Sequence, residues 1–123
     1  MRFVLPALLL LAAACSPAAP RPADLLTLEV EEQGADLLLT LRPAPGARIN
    51  ALAKPTLELA DGRRVTLEST ALTADSAYFA ELPTARLSDT HRVEGILRAG
   101  VCPEGLAVCQ TVTIPVEHGF GAP

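Results

Sequence analysis

The feature that most restricts the fold is a pair of alternating runs arranged about a six-residue insert, Pro103–Val108, which is flanked by Cys102 and Cys109. In the first run Val93, Leu97, Ala99 and Val101 share odd positions, with Glu94, Arg98 and Cys102 on even ones. In the second, Val112, Ile114 and Val116 are even and Cys109, Thr111 and Thr113 odd. Successive side chains of a strand point to opposite faces, so each run has one apolar and one mostly polar face. Antiparallel pairing with Cys102 opposite Cys109 sets Leu97 against Ile114 and Ala99 against Val112, so the apolar faces coincide. A slip of one residue would turn one of those faces to solvent. The pattern therefore predicts a β-hairpin with both cysteines near its tip, on the outward face. Directly opposed residues lie about 4.5–5.5 Å apart between Cα atoms, within the disulfide range of about 4.4–6.8 Å. Ile96 is the one apolar residue on that outer face.

The remaining segments read as further strands. Leu26–Val30 alternates, and Gln33-Gly34-Ala35-Asp36 is a turn. Leu37–Leu41 is a more continuous apolar run, suited to a strand in the middle of a sandwich. Arg48–Pro55 has no clear period and reads as an ordered loop. Thr56–Leu59 and Val65–Glu68 flank Asp61-Gly62, a hairpin signal. A two-residue loop would mix the faces of these runs. A three-residue loop, Ala60-Asp61-Gly62 with Gly62 left-handed, puts Leu57 opposite Val65 on the core side. Tyr78–Leu82 reads as a short strand closed by Pro83. About seven strands without a convincing helix predict an all-β fold, an immunoglobulin-like antiparallel β-sandwich. The chain has no Trp and no cysteine in the second strand, so the usual sheet-to-sheet staple is missing.

The N-terminus is expected to lie outside that domain. Arg2, an apolar run from Phe3 to Ala14 and small residues before Cys15 make residues 1–14 a secretory signal, too short for a transmembrane anchor. Leu11-Ala12-Ala13-Ala14-Cys15 resembles the lipobox of bacterial lipoproteins, with Leu one position further from the cysteine than usual. This implies a lipidated Cys15; a plain signal peptide cleaved nearby is the alternative. Residues 15–23 then comprise the lipidated cysteine and a Pro-rich tether, 24–118 the domain and 119–123 a tail. The expected location is the cell envelope, on the periplasmic side of the outer membrane or the outer face of the cytoplasmic membrane. With Cys15 lipidated, the three cysteines leave one pair, in a compartment where disulfides persist.

Several chemistries are excluded. The formal charge is −4, Lys54 is the only lysine and the arginines are scattered, so nothing suggests nucleic acid. His91 and His118 would lie at the far end of an extended hairpin, roughly 30 Å from the sulfurs at about 3.3 Å per residue, which argues against a metal site. No serine sits in a Ser-His-Asp motif, and no acidic run has calcium-loop spacing. No cofactor is expected.

Two readings of the cysteine pair stay open on spacing. Closing a loop of about eight residues contributes roughly 2.5 kcal/mol on the chain-entropy model, and an inert hairpin staple fits that. An exposed pair is equally suited to exchange with an attacking thiolate.

Pro45-Gly46-Ala47-Arg48-Ile49-Asn50, leading into Pro55-Thr56-Leu57-Glu58-Leu59, resembles a Gly-x-His-Ile-Asn stretch and the Pro-Thr strand after it. The pattern is that of the N-terminal periplasmic domain of the thiol:disulfide interchange protein DsbD family. Val93-Glu94-Gly95-Ile96-Leu97 and the cysteine pair resemble the final hairpin of that domain, and the resemblance spans Leu26–Glu117. Arg48 stands where that family has His, and the cysteines are further apart than usual there. The resemblance implies that Cys102 and Cys109 shuttle between dithiol and disulfide, with Cys109 forming the mixed disulfide. It also implies thioredoxin-like or membrane thiol–disulfide proteins as partners of a monomeric carrier. Family members shield the pair with an aromatic residue; Tyr78 or Phe79 is the candidate here, and core packing the alternative for either.

Overall fold

Burial alternates with the parity of the residue number along the long strands, and this sets the layers. The computed structural model describes residues 21, 24–105 and 108–120. Among them are eight strands: β1 (Leu26–Gln33), β2 (Asp36–Pro43), β3 (Ala47–Ile49), β4 (Thr56–Leu59), β5 (Arg64–Thr66), β6 (Thr84–Leu87), β7 (Arg92–Pro103) and β8 (Gln110–Gly119). Leu37, Leu39 and Leu41 of β2 and Val93, Leu97 and Val101 of β7 are fully buried, each on the inward face of its sheet. Together with Leu57, Leu67 and Val112 they form one core between two sheets.

The first sheet has the order β1-β2-β6, which puts the most apolar strand in its middle. In the second, β8 pairs with one edge of β7, while β3 and β4 share the other edge and β5 lies beyond β4. All strand pairs are antiparallel. Three strands facing β8, β7, β4 and β5 is the A-B-E against G-F-C-C′ arrangement of an immunoglobulin-like sandwich. The chain is such a sandwich, with eight strands rather than seven.

The β7–β8 register is the one alternation requires: Leu97 faces Ile114 and Ala99 faces Val112. The β4–β5 hairpin has the three-residue loop, with Leu57 opposite Val65, Gly62 at φ 93° and Leu59 N–H donating to the Arg63 carbonyl at 2.8 Å. Gly95 lies where β7 crosses closest to β4; a Cβ there would overlap the Glu58 carbonyl oxygen. No side chain fits that crossing.

Two segments differ from expectation. Arg48 and Ile49, expected in a loop, belong to β3, and Ile49 is buried opposite Val101. Tyr78–Leu82 is not a strand: Tyr78 and Phe79 make isolated bridges to Asn50 and Leu72, and the strand begins after Pro83, as β6. Pro83 is buried and its carbonyl accepts from Leu41 N–H at 3.1 Å, so the proline leads into pairing with β2. At the other boundary β8 runs through Gly119, and Phe120 packs on the core. Among the described residues no helix is long and apolar enough to cross a membrane. Cys15 and the expected signal and lipobox lie outside the described residues.

Candidate functional site

The end of β7 and the start of β8 hold the cysteine pair. Extending the ladder one step past Val101–Gln110 brings Cys102 opposite Cys109, and the two form a disulfide with 4.1 Å between their Cα atoms. Gly105 at φ 79° turns the tip.

The two cysteines differ in exposure. Cys109 is exposed, whereas Cys102 is wholly buried. Alternation had placed both on an open outer face. The face assignment holds, since inward Val101 is buried as well, but at this end the outer face is covered. The cover begins at Pro45-Gly46, where Gly46 at φ 79° directs the chain into β3. Its three residues pair with the last three of β7, setting Arg48 directly opposite Cys102 and Ala47 opposite Pro103. Glu104 N–H donates to the Gly46 carbonyl at 2.7 Å and ties the hairpin tip to this turn.

Beyond β3 lies the segment holding the two aromatics. Phe79 N–H donates to the Ile49 carbonyl at 3.1 Å, and Ala51 N–H to the Ala77 carbonyl at 2.8 Å. Residues 77–79 thus run beside β3 and its continuation. The neighbours point to opposite faces: Phe79 packs against the core, while Tyr78, bridged to Asn50, lies on the outward side. The Arg48 guanidinium carbon sits 3.9 Å from the Tyr78 ring centroid. Across the outer face the order is therefore Tyr78, Arg48, Cys102, Cys109. Of the two candidate shields, Tyr78 is on the same outward face as Arg48 and Cys102, with Arg48 in the strand between it and the sulfur, and Phe79 is partly buried against the core.

Arg48 is half-buried, and its Nε is buried without a hydrogen-bond partner. Nor does it make an ion pair among the described residues, unlike Arg42, Arg63, Arg86, Arg92 and Arg98. The acid placed to feel its charge is Asp75. That carboxyl is held below the usual range by the Thr73 hydroxyl, which donates at 2.7 Å, by the Ala77 N–H at 3.1 Å and, to a smaller extent, by the Arg48 charge. Thr73 also ties the loop shut: its N–H donates to the Tyr78 carbonyl at 2.9 Å, and Tyr78 N–H to its hydroxyl at 3.2 Å.

Asn50 finishes this wall. Its N–H donates to the Gly100 carbonyl at 2.9 Å, and its Oδ1 accepts from Leu52 and Ala53 N–H. A Cβ at Gly100 would come within 3.2 Å of the Asn50 Cβ, so the small residue lets the wall close on β7. A surface groove of about 640 Å³ is lined by Lys54, Glu68, Leu72, Phe79 and neighbours and includes neither cysteine. His118, paired with Val93, and His91 lie at the far end of the hairpin, as its length requires. Among the described residues no cluster of three or more His, Cys, Asp or Glu is placed to hold a metal.

Sequence reasoning missed Arg48 as the neighbour of Cys102. Its signal was the turn Pro45-Gly46 followed by Arg-Ile, too short to show a period. Comparison with protein-family models, with curated proteins and with solved structures gives no match.

Proposed function

We propose that the protein is a thiol–disulfide carrier of the cell envelope, anchored through a lipidated Cys15, in which Cys102 and Cys109 cycle between disulfide and dithiol. The observation carrying this reading is the asymmetry of the pair: Cys109 is exposed and Cys102 is buried behind it. Exchange requires a thiolate to reach one sulfur of a disulfide and expel the other. An exposed Cys109 bonded to a sheltered Cys102 favours one order, with attack at Cys109 and departure of Cys102. A thioredoxin-like dithiol protein suits this site as donor, because it offers a low-pKa attacking thiolate and a second thiol to complete the transfer.

Trapping tests this. With Cys102→Ser, a thioredoxin-like partner should remain joined to Cys109 as a mixed disulfide detectable by mass, whereas Cys109→Ser should trap at least tenfold less. Failure of Cys102→Ser to form a mixed disulfide with any such partner would contradict the reading, as would equal trapping by Cys109→Ser. The competing account is a binding or assembly lipoprotein with an inert staple. The complete burial of Cys102 favours it, since a sheltered sulfur also suits a permanent bridge.

A further inference from the structure

We infer that Arg48 is the cationic partner of the Cys102 thiolate, holding that sulfur in its charged form whenever the Cys102–Cys109 bond opens. This rests on the exchange reading above. Three observations carry it. Arg48 is the residue directly across the ladder from Cys102 on the covered face, where side chains lie about 4.5–5.5 Å apart at Cβ. It is half-buried, with Nε sheltered and unpartnered. And the Tyr78 ring lies 3.9 Å from the guanidinium carbon, a cation–π contact that supplies no oxygen acceptor to its N–H groups. A buried N–H without an acceptor is unfavourable, so an anion arriving beside it is stabilised. Opening the disulfide creates such an anion.

In the step itself, the sulfur of an incoming thiolate, from a thioredoxin-like dithiol, bonds to Cys109 Sγ. The Cys102–Cys109 bond breaks, and its electron pair leaves on Cys102 Sγ. The incoming sulfur is oxidised into a mixed disulfide, Cys102 is reduced, and no proton is needed while Arg48 balances the charge. In the opposite direction the Cys102 thiolate attacks Cys109 Sγ in a mixed disulfide and releases the partner's sulfur. A leaving thiol of lower pKa departs faster. The charged and titratable groups around Cys102 are Arg48 on β3, Tyr78 and Asp75 on the loop beyond it, and Glu104 at the exposed tip; across the hairpin, Cys109 precedes the uncharged Gln110 and Thr111 that open β8. Asp75 feels the Arg48 charge but makes no ion pair with it, so the guanidinium edge is not taken up by that carboxylate.

The test uses the full-length protein carrying Cys109→Ser, with alkylation of Cys102 followed by peptide mass from pH 5 to 10. Access to a buried sulfur scales the plateau rate but leaves the midpoint pH of the profile unchanged. Arg48→Met should move that midpoint to higher pH and leave about tenfold less reactive thiolate at pH 7, while Arg48→Lys should keep most of it. Arg48→Gln, also neutral, replaces the Met variant if that one does not fold. Equal midpoints for Arg, Lys and the neutral variant would overturn the inference, as would Lys behaving like the neutral variant. If the midpoint depends on the charge at 48 while no partner exchanges with the pair, the carrier reading fails and the electrostatic role stands.

Discussion

Two arginines stand on the outward face of the same sheet in opposite situations. Arg98, in the middle of β7, lies 3.5 Å from Glu58, with both side chains about half exposed. Arg48, beside the end of the same strand, has no ion pair among the described residues, a sheltered Nε and a tyrosine ring over its guanidinium. The first is a solvated cross-strand pair, screened by water and salt and worth little. The second is a cation without an ion pair among the described residues, directly across the ladder from a sulfur that becomes an anion in the exchange proposed above. The difference separates the part of the hairpin that holds the fold from the part suited to chemistry.

That separation is easiest to break at the core beneath Arg98. Leu97 is fully buried between Leu57 and Ile114, so Leu97→Ala should lose about 2–5 kcal/mol in denaturant unfolding. While the variant is folded its cysteine redox midpoint should stay in place; a shift would show that the two regions are coupled. Next in size is removal of the bridge. Cys102→Ala with Cys109→Ala should cost about 2.5 kcal/mol and leave strand content by circular dichroism unchanged, because the β7–β8 ladder remains. Arg98→Met should cost less than about 1 kcal/mol, an effect that fades with added salt, and leave the redox midpoint alone. Arg48→Met should instead drive the midpoint to more negative potential, since it removes a stabiliser of the reduced form.

The smallest effect concerns the loop that positions Tyr78. Asp75 has its pKa lowered in the folded chain, first by the Thr73 hydroxyl and then by Ala77 N–H. Its contribution to stability is therefore present above the unfolded carboxyl pKa and is lost as pH falls through the lower folded value. Melting temperature followed down through the acid range should fall less steeply for Asp75→Asn than for the parent.

Alternation made the fold legible wherever strands are long and one face is buried. The β7–β8 register, the core leucines of β2 and the three-residue loop at Gly62 all follow from which residues must share a face. β3 was illegible because three residues show no period, and what makes Ala47–Ile49 a strand is the free edge at the end of β7. Tyr78–Leu82 misled because an apolar, aromatic run also suits a segment that makes only single bridges, and because Pro83 precedes pairing instead of ending it. At the site, the pairing of Cys102 with Cys109 was readable and the burial of Cys102 was not. Period gives the face a residue occupies; what covers that face comes from Arg48, more than fifty residues earlier in the chain.

The proposed exchange requires that the Cys102–Cys109 disulfide open under cellular reductants. Equilibrium titration of the purified protein in glutathione and then dithiothreitol buffers, read by alkylation and peptide mass, measures this directly. A midpoint between about −180 and −270 mV, among exchange-active pairs, is the expected result. A midpoint below about −300 mV, where structural bridges lie, would make the pair a staple and contradict the account.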